Sequence, residues 1–245
     1  MNDCLLVMLE AAATYDDELW HNCALRCGDY ILAAQLDPPQ AGWAQQYTDD
    51  GKPAPARWFE PAAVCSAATV RNLHTLITLL NETADEKWLA PFPPALDWLR
   101  NSRLPDGLWA RFYEPRTNKP LYVTNDRKVI NEYTDEVRPG YSWEGDYGVD
   151  SIEQQYLQLV GELAAGTWNQ QKPFDFSTPP AARTYSPEQV AELATKAETV
   201  LASLDEQGRW IREDGWIYSE DFLRNCQVLL EYLAAANTIT PAQGE

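Results

Sequence analysis

Arg57 stands in the loop Pro53-Ala54-Pro55-Ala56-Arg57-Trp58-Phe59-Glu60-Pro61, where prolines bracket a cation set among aromatic rings and next to an acid. Proline narrows the unfolded ensemble of such a loop and so reduces the entropy lost when the arginine is fixed. A guanidinium held among rings must be paired or used, because its desolvation is otherwise uncompensated. Two roles stay open for Arg57: an anchor to Glu60, or an active-site cation. A second concentration lies between Arg100 and Gly140. There Arg100, Arg103, Arg111, Arg116, Lys119, Arg127, Lys128 and Arg138 stand against six acidic residues, in a chain whose 37 acidic and 19 basic residues give a net charge of −18. Trp109, Tyr113, Tyr122, Tyr133, Tyr141 and Trp143 lie in or beside the same stretch. Arginine grips carboxylates with two parallel hydrogen bonds and stacks on rings, and aromatic faces suit sugar rings. The pattern points to a carboxylated sugar. The plainer reading is surface ion pairing within an acidic protein.

Other chemistries fit less well. Glu60, Asp106, Glu114, Glu144 and Asp146 supply enough carboxylates for a glycoside hydrolase with an acid and a base. That reading leaves the arginine concentration unexplained. His21 and His74 are the only histidines, with no serine or cysteine in a motif context, and no phosphate loop or zinc spacing occurs. A strongly acidic chain repels phosphate backbones, which argues against nucleic acid. No apolar run approaches the ~20 residues of a membrane span. Cys4, Cys23, Cys27, Cys65 and Cys226 are odd in number without a Cys-x-x-Cys pair, so free buried thiols are expected.

Helical periodicity dominates the elements that must carry these groups. Leu5, Leu6, Met8, Leu9 and Ala12 share one face; so do Trp20, Ala24, Cys27, Tyr30, Ile31 and Ala34, and again Val70, Leu73, Leu76, Ile77 and Leu80. Further helices are predicted over 94–102, 151–165, 187–204 and 221–237, the third opened by Ser186-Pro187, a capping serine before a first-turn proline. Short extended segments are predicted at 108–113, 120–124 and 209–218. Three times a helix exits through a glycine next to or near a tryptophan: Gly42-Trp43, Gly107-Leu108-Trp109 and Gly208-Arg209-Trp210. Helix pairs with aromatic loops on one side predict a mainly α protein, an α/α toroid-like array with long aromatic-rich loops and short β segments. The alternative is that these tryptophans plug helix ends. One domain over 1–245 is expected, with an irregular connection at 167–185 and C-terminal helices over 186–240. Its abrupt opening reads as a missing N-terminal part.

The runs GWAQQYTDDGKPAPARWFEPAAVCSAATV, LPDGLWARFYEPRTNKPLYV and RPGYSWEGDYG, in that order, resemble pectate lyases of polysaccharide lyase family 10, most of all their divergent members from environmental bacteria. The resemblance runs from Met1 to about Gly148. It implies calcium-assisted β-elimination on polygalacturonate, with Arg57 as the base. It implies substrate carboxylates at Arg111, Arg116 and Arg138, a cleft lined by Tyr141 and Trp143, and calcium at Asp3 in an Asn-Asp pair opening a helix. Trp43, Gln45, Trp58, Glu60, Trp109 and Tyr113 are the remaining candidates for sugar contact. The resemblance further implies a polyuronate partner and an extracellular or periplasmic location; a monomer is expected. The alternatives are an inactive carbohydrate-binding protein and a toroidal glycoside hydrolase.

Overall fold

Valine, leucine and isoleucine at helical spacing bury one stripe of a helix, and the third predicted helix does this most fully. In the computed structural model, which describes residues 1–174 and 184–239, it is α3 (Ser66–Thr83; α1 and α2 are Asn2–Tyr15 and Glu18–Ala33). Leu73, Leu76, Leu79 and Leu80 of α3 are fully buried. α1 and α2 form a hairpin turned at Asp16, whose backbone is left-handed, and Asp17 caps α2 by accepting from the Leu19 N–H at 2.8 Å. A 3-10 turn at Glu86–Leu89 leads to α4 (Phe92–Asn101), and α5 is Val149–Ala165. The chain divides into two compact units, Met1–Phe176 and Ser177–Glu245.

Gly28 sets how closely α2 can lie to its neighbours. A methyl group built there would fall 2.8 Å from the Trp88 ring and against the Leu79 side chain. Gly28→Ala is therefore expected to destabilise the first unit by about 1–3 kcal/mol through overpacking, outweighing the helix propensity gained. A thermal denaturation scan reads this as a lowered Tm.

The aromatic-rich connections pair into short antiparallel ladders. β1 (Val64–Cys65), β3 (Phe112–Tyr113), β4 (Pro120–Val123) and β5 (Val129–Ile130) form one sheet in the order β1-β3-β4-β5. Cys65 faces Phe112, and Phe112 faces Leu121. β2 (Trp109–Ala110) pairs with β6 (Glu144–Gly145) in a second ladder. The expected α/α toroid does not form. About half the chain is helical, but the connections from α2 to α3 and from α4 to α5 are long and pair into short antiparallel ladders, so the helices of the first unit do not form a closed ring of hairpins joined by short loops.

The second unit contains α6 (Pro187–Ala202) and α7 (Ser219–Ile239). Ser186 and Gln189 form the capping box that the sequence signals, with Ser186 N–H donating to Gln189 Oε1 at 2.8 Å. The segment predicted as extended over 209–218 forms no strand; it holds a turn at 213–215, with Gly215 at positive φ. Of the expected connection at 167–185, residues 175–183 lie outside the described residues, as does the last residue of the span 186–240. All five cysteines are free, but only Cys65 is buried.

Candidate functional site

Arg111 sits where the two ladders meet, between β2 and β3. Its N–H donates to the Trp143 carbonyl at 2.6 Å and its carbonyl accepts from the Ser66 N–H, the first residue of α3, at 3.0 Å. Ser66 Oγ also donates to the Ala110 carbonyl at 2.8 Å. With both backbone groups tied to different elements, the side chain has a fixed origin. Its guanidinium lies 4.7 Å from the Tyr141 ring centre and 5.7 Å from that of Tyr147. Among the described residues it has no carboxylate partner, and its Nε is buried without an acceptor. It lines a cleft of 490 Å³ together with Gln45, Tyr47, Cys65, Arg71 and Asn72. A partly desolvated cation without an anion is an unfavourable arrangement that a carboxylate ligand would relieve.

Glu60 joins the cleft to Arg57. It is 2% exposed. It accepts from Gln45 Nε2 at 2.8 Å, from the Tyr141 hydroxyl at 2.7 Å, from the Arg57 N–H at 3.0 Å and from the Arg57 guanidinium. Burial alone would raise the Glu60 carboxyl, yet these four donors outweigh it and bring the pKa from an ordinary 4.5 to about 2. The hydrogen bond that the Arg57 guanidinium donates to Glu60 in turn raises Arg57 above the usual guanidinium value. Arg57 remains exposed, its guanidinium 4.7 Å from the Phe59 ring centre and 5.5 Å from Tyr141. Arg138 packs on the same aromatic group, 4.0 Å from the Phe59 ring centre and 5.8 Å from that of Trp58. Tyr141 is pushed up to about 12 by burial and by the bond that it donates to Glu60, so it stays a neutral donor.

A cleft with an unpaired arginine mounted between two ladders is thus set within the stretch where the sequence concentrates its cations. Residues 101–152 match the pectic acid lyase family model. The matched segment runs from the last residue of α4 into α5 and holds Arg111, Arg138, Tyr141 and Tyr147; Arg57 and Glu60 lie outside it. The fold is similar to that of a mutant of the family 10 polysaccharide lyase from Cellvibrio cellulosa in complex with trigalacturonic acid. That likeness has a TM-score of 0.51 and 22% identity over 63% of this chain and 59% of that one. A second structure of family 10 polysaccharide lyase from Cellvibrio cellulosa aligns at 21% identity, TM-score 0.49, over 67% of this chain and 59% of its own. The chain therefore spans 59% of the length of both, and at this identity the likeness is one of fold. None of the curated proteins matches the sequence. The family resemblance drawn from the three sequence runs is borne out by the matched segment and by the shared fold.

Several of the expected sugar contacts are not open at the surface. Trp43, Trp109, Tyr113 and Trp143 are each at most 2% exposed. Buried rings have little face to offer a sugar, and these belong to the core, Trp43 from within the cleft wall. Trp43 donates its indole N–H to Ile31 O, and Trp109 to Leu99 O, both at 2.7 Å; Trp210 does the same to Val200 O at 2.9 Å. Each accepting carbonyl lies two residues before the last residue of its helix, where intrahelical donors run out. The recurring glycine–tryptophan exits are helix-end plugs. Arg116 is exposed and tied through its N–H to the Gln40 side chain, and it shares no described contact with the cleft arginine.

Asp3 carries an ion pair with Arg71, at the rim of the same cleft. Calcium takes six to eight oxygen ligands. Among the described residues no group of three or more His, Cys, Asp or Glu side chains is placed to hold a metal. Asp3, with its oxygen already engaged by a guanidinium, does not make a calcium site with what surrounds it. Sequence reasoning passed over Tyr147, Tyr47 and Arg71. Tyr147 and Tyr47 had a signal in their positions within the runs that carry the resemblance; Arg71 comes to the cleft only through tertiary packing. Among the described residues no helix is long and apolar enough to cross a membrane.

Proposed function

We propose that the first unit binds the uronate chain of a pectic polysaccharide and takes part in cleaving it by β-elimination. The observation that carries this reading is Arg111, a rigidly mounted guanidinium without a carboxylate of its own, facing a cleft of 490 Å³ inside the pectic acid lyase segment. Elimination removes the C5 proton of a galacturonate, forms the C4–C5 double bond and breaks the C4–O bond, with the leaving oxygen taking up a proton. The C5 proton lies next to a carboxylate whose own charge makes it hard to remove. A guanidinium paired with both carboxylate oxygens stabilises the additional charge as it spreads onto them. Arg111 is placed for that work, and the Tyr141 and Tyr147 rings keep water from one face of it.

Arg57 is assigned the proton-accepting role by resemblance alone. In the free protein Glu60 holds it protonated, so the role requires that substrate binding part the pair and that the guanidinium first lose a proton. If the pair stays intact, Arg57 serves as a fixed cation. Calcium, which pectate lyases generally use, has no fitting ligand set around Asp3, and no step is routed through it. Hydrolysis by paired carboxylates is disfavoured by Glu60, which is held ionised and saturated with donors and so lacks a proton to give.

The test is to follow ultraviolet absorbance when the protein is mixed with polygalacturonate. An unsaturated product raises the absorbance and is the expected result. New reducing ends without that rise would mean hydrolysis, and calorimetric binding of trigalacturonate without either signal would mean a binding protein.

A further inference from the structure

We infer that the pocket between α3, α5 and the connection after α5 is a second sugar site, one that takes a neutral glycan rather than a uronate. The pocket holds 340 Å³ and shares no lining residue with the cleft around Arg111. Both lie along one helix: Arg71 and Asn72 of α3 line the cleft, Ile77 and Asn81 the pocket. From residue 71 to residue 81 a helix rises about 15 Å, so these are separate places on the same unit.

The chemistry of the pocket differs from that of the cleft. Five of its nine lining residues are carboxamides, Asn81, Gln155, Gln158, Asn169 and Gln171, and none is a cation. A carboxamide presents donors and an acceptor on one fork, which suits the neighbouring hydroxyls of a sugar ring. Asn81, Asn169 and Gln171 make no side-chain hydrogen bond among the described residues, which leaves three forks for a ligand. Glu162 is the one charged residue in the lining, and Gln158 Nε2 donates to it at 2.8 Å. A carboxylate there accepts from hydroxyls and repels a second carboxylate, so the pocket selects against uronates.

Trp168 supplies the ring face. It is half-buried against the core and lines the pocket. Its N–H donates to the Glu162 carbonyl at 3.2 Å, and two residues on, Gln170 Nε2 donates to the Asn81 and Glu82 carbonyls at 2.9 and 3.1 Å. The connection is thereby fastened to the open carbonyl end of α3, and the ring is positioned before a ligand arrives. Trp43, Trp88, Trp98, Trp109, Trp143 and Trp210 each donate their indole N–H within the protein. That of Trp168 has no acceptor among the described residues. A ring face, a free N–H and unspent carboxamides around a pocket without cations are what a neutral sugar requires.

Calorimetric titration with galacto-, arabino-, xylo- and glucotetraose tests the inference, with trigalacturonate alongside. At least one neutral tetraose is expected to bind, with an affinity that salt does not change and that saturating trigalacturonate does not reduce. Asn169→Ala and Gln171→Ala give up no contact within the described fold, so each should keep the wild-type Tm and weaken that binding three- to tenfold. Trp168→Ala should abolish it, and Trp168→Phe, which keeps a platform without the N–H, should retain part. Absence of binding by all four tetraoses overturns the site and leaves the Arg111 reading standing. Neutral binding that persists in Asn169→Ala and Gln171→Ala but is lost in Arg111→Ala, or is displaced by trigalacturonate, places the sugar in the cleft and overturns the site as well. Protein that binds a neutral tetraose in this pattern but no trigalacturonate upholds the site and overturns the uronate reading instead.

Discussion

Arg111→Ala is expected to lower trigalacturonate affinity about a hundredfold and to leave the Tm within a few degrees of wild type. A charge-assisted, two-pronged contact to a carboxylate in a partly dry cleft is worth about 3 kcal/mol when truncated, which is two decades in Kd. The fold is spared because the contacts that seat residue 111 are made by its backbone, to Trp143 and Ser66, and alanine keeps both. The side chain makes no ion pair to lose among the described residues, and its removal relieves a buried Nε that lacks an acceptor. Arg111→Lys keeps the charge without the planar fork and should recover only part of the affinity. Calorimetry gives the Kd and a melting curve the stability. A variant that melts far below wild type, with affinity loss in proportion, would make Arg111 a structural strut.

What could be read from the sequence divides along the range of the interactions. α3 is legible because its buried stripe, Val70 to Leu80, is fixed by local helical spacing, and the capping box at Ser186 and Gln189 is local as well. The toroid was not, because the choice between closing a helix ring and pairing strands depends on which distant segment meets Trp109–Tyr113. The strand partners, Glu144–Gly145 and Val64–Cys65, carry little signal of their own. The tryptophans show how the same residue serves opposite ends. Trp43, Trp109 and Trp210 follow glycine exits and end helices, whereas Trp58, in a proline-rich loop, stays open. Arginine divides in the same way. Gly107-Leu108-Trp109-Ala110-Arg111 and Gly208-Arg209-Trp210-Ile211-Arg212 share a pattern, yet Arg212 is met by Glu220 and Asp221 while Arg111 meets rings and the Ser142 carbonyl but no acid. Nothing in the five residues reveals that difference; it follows from what comes after each motif.

Glu60→Gln should separate the two roles open to Arg57, through opposite effects on rate and on stability. In wild type the Glu60 hydrogen bond favours the charged guanidinium, so if a neutral guanidine accepts the C5 proton, kcat must climb with pH through the alkaline range without a plateau. Removing the carboxylate charge lets the guanidinium release its proton more readily, and kcat in Glu60→Gln should rise at a given alkaline pH, by less than a decade for each unit by which the Arg57 pKa falls because a less basic guanidine is also a weaker proton acceptor. Arg57→Ala should then lose 10²–10⁴ in kcat, the usual contribution of a positioned base, with trigalacturonate affinity falling far less than in Arg111→Ala. A flat pH profile, with Glu60→Gln slowed alongside Arg57→Ala, would assign Arg57 to fixed charge stabilisation. Stability moves the other way. Glu60 is ionised in the folded protein down to about 2 but protonates near 4.5 when unfolded, so its contribution is complete above 4.5 and disappears as pH falls toward 2. The wild-type Tm should accordingly hold from neutral pH to about 5 and drop below it. Glu60→Gln, lacking that group, should start lower at neutral pH and decline less steeply in acid, so that a rate gain together with this flattened acid limb identifies one ion pair as the restraint on both.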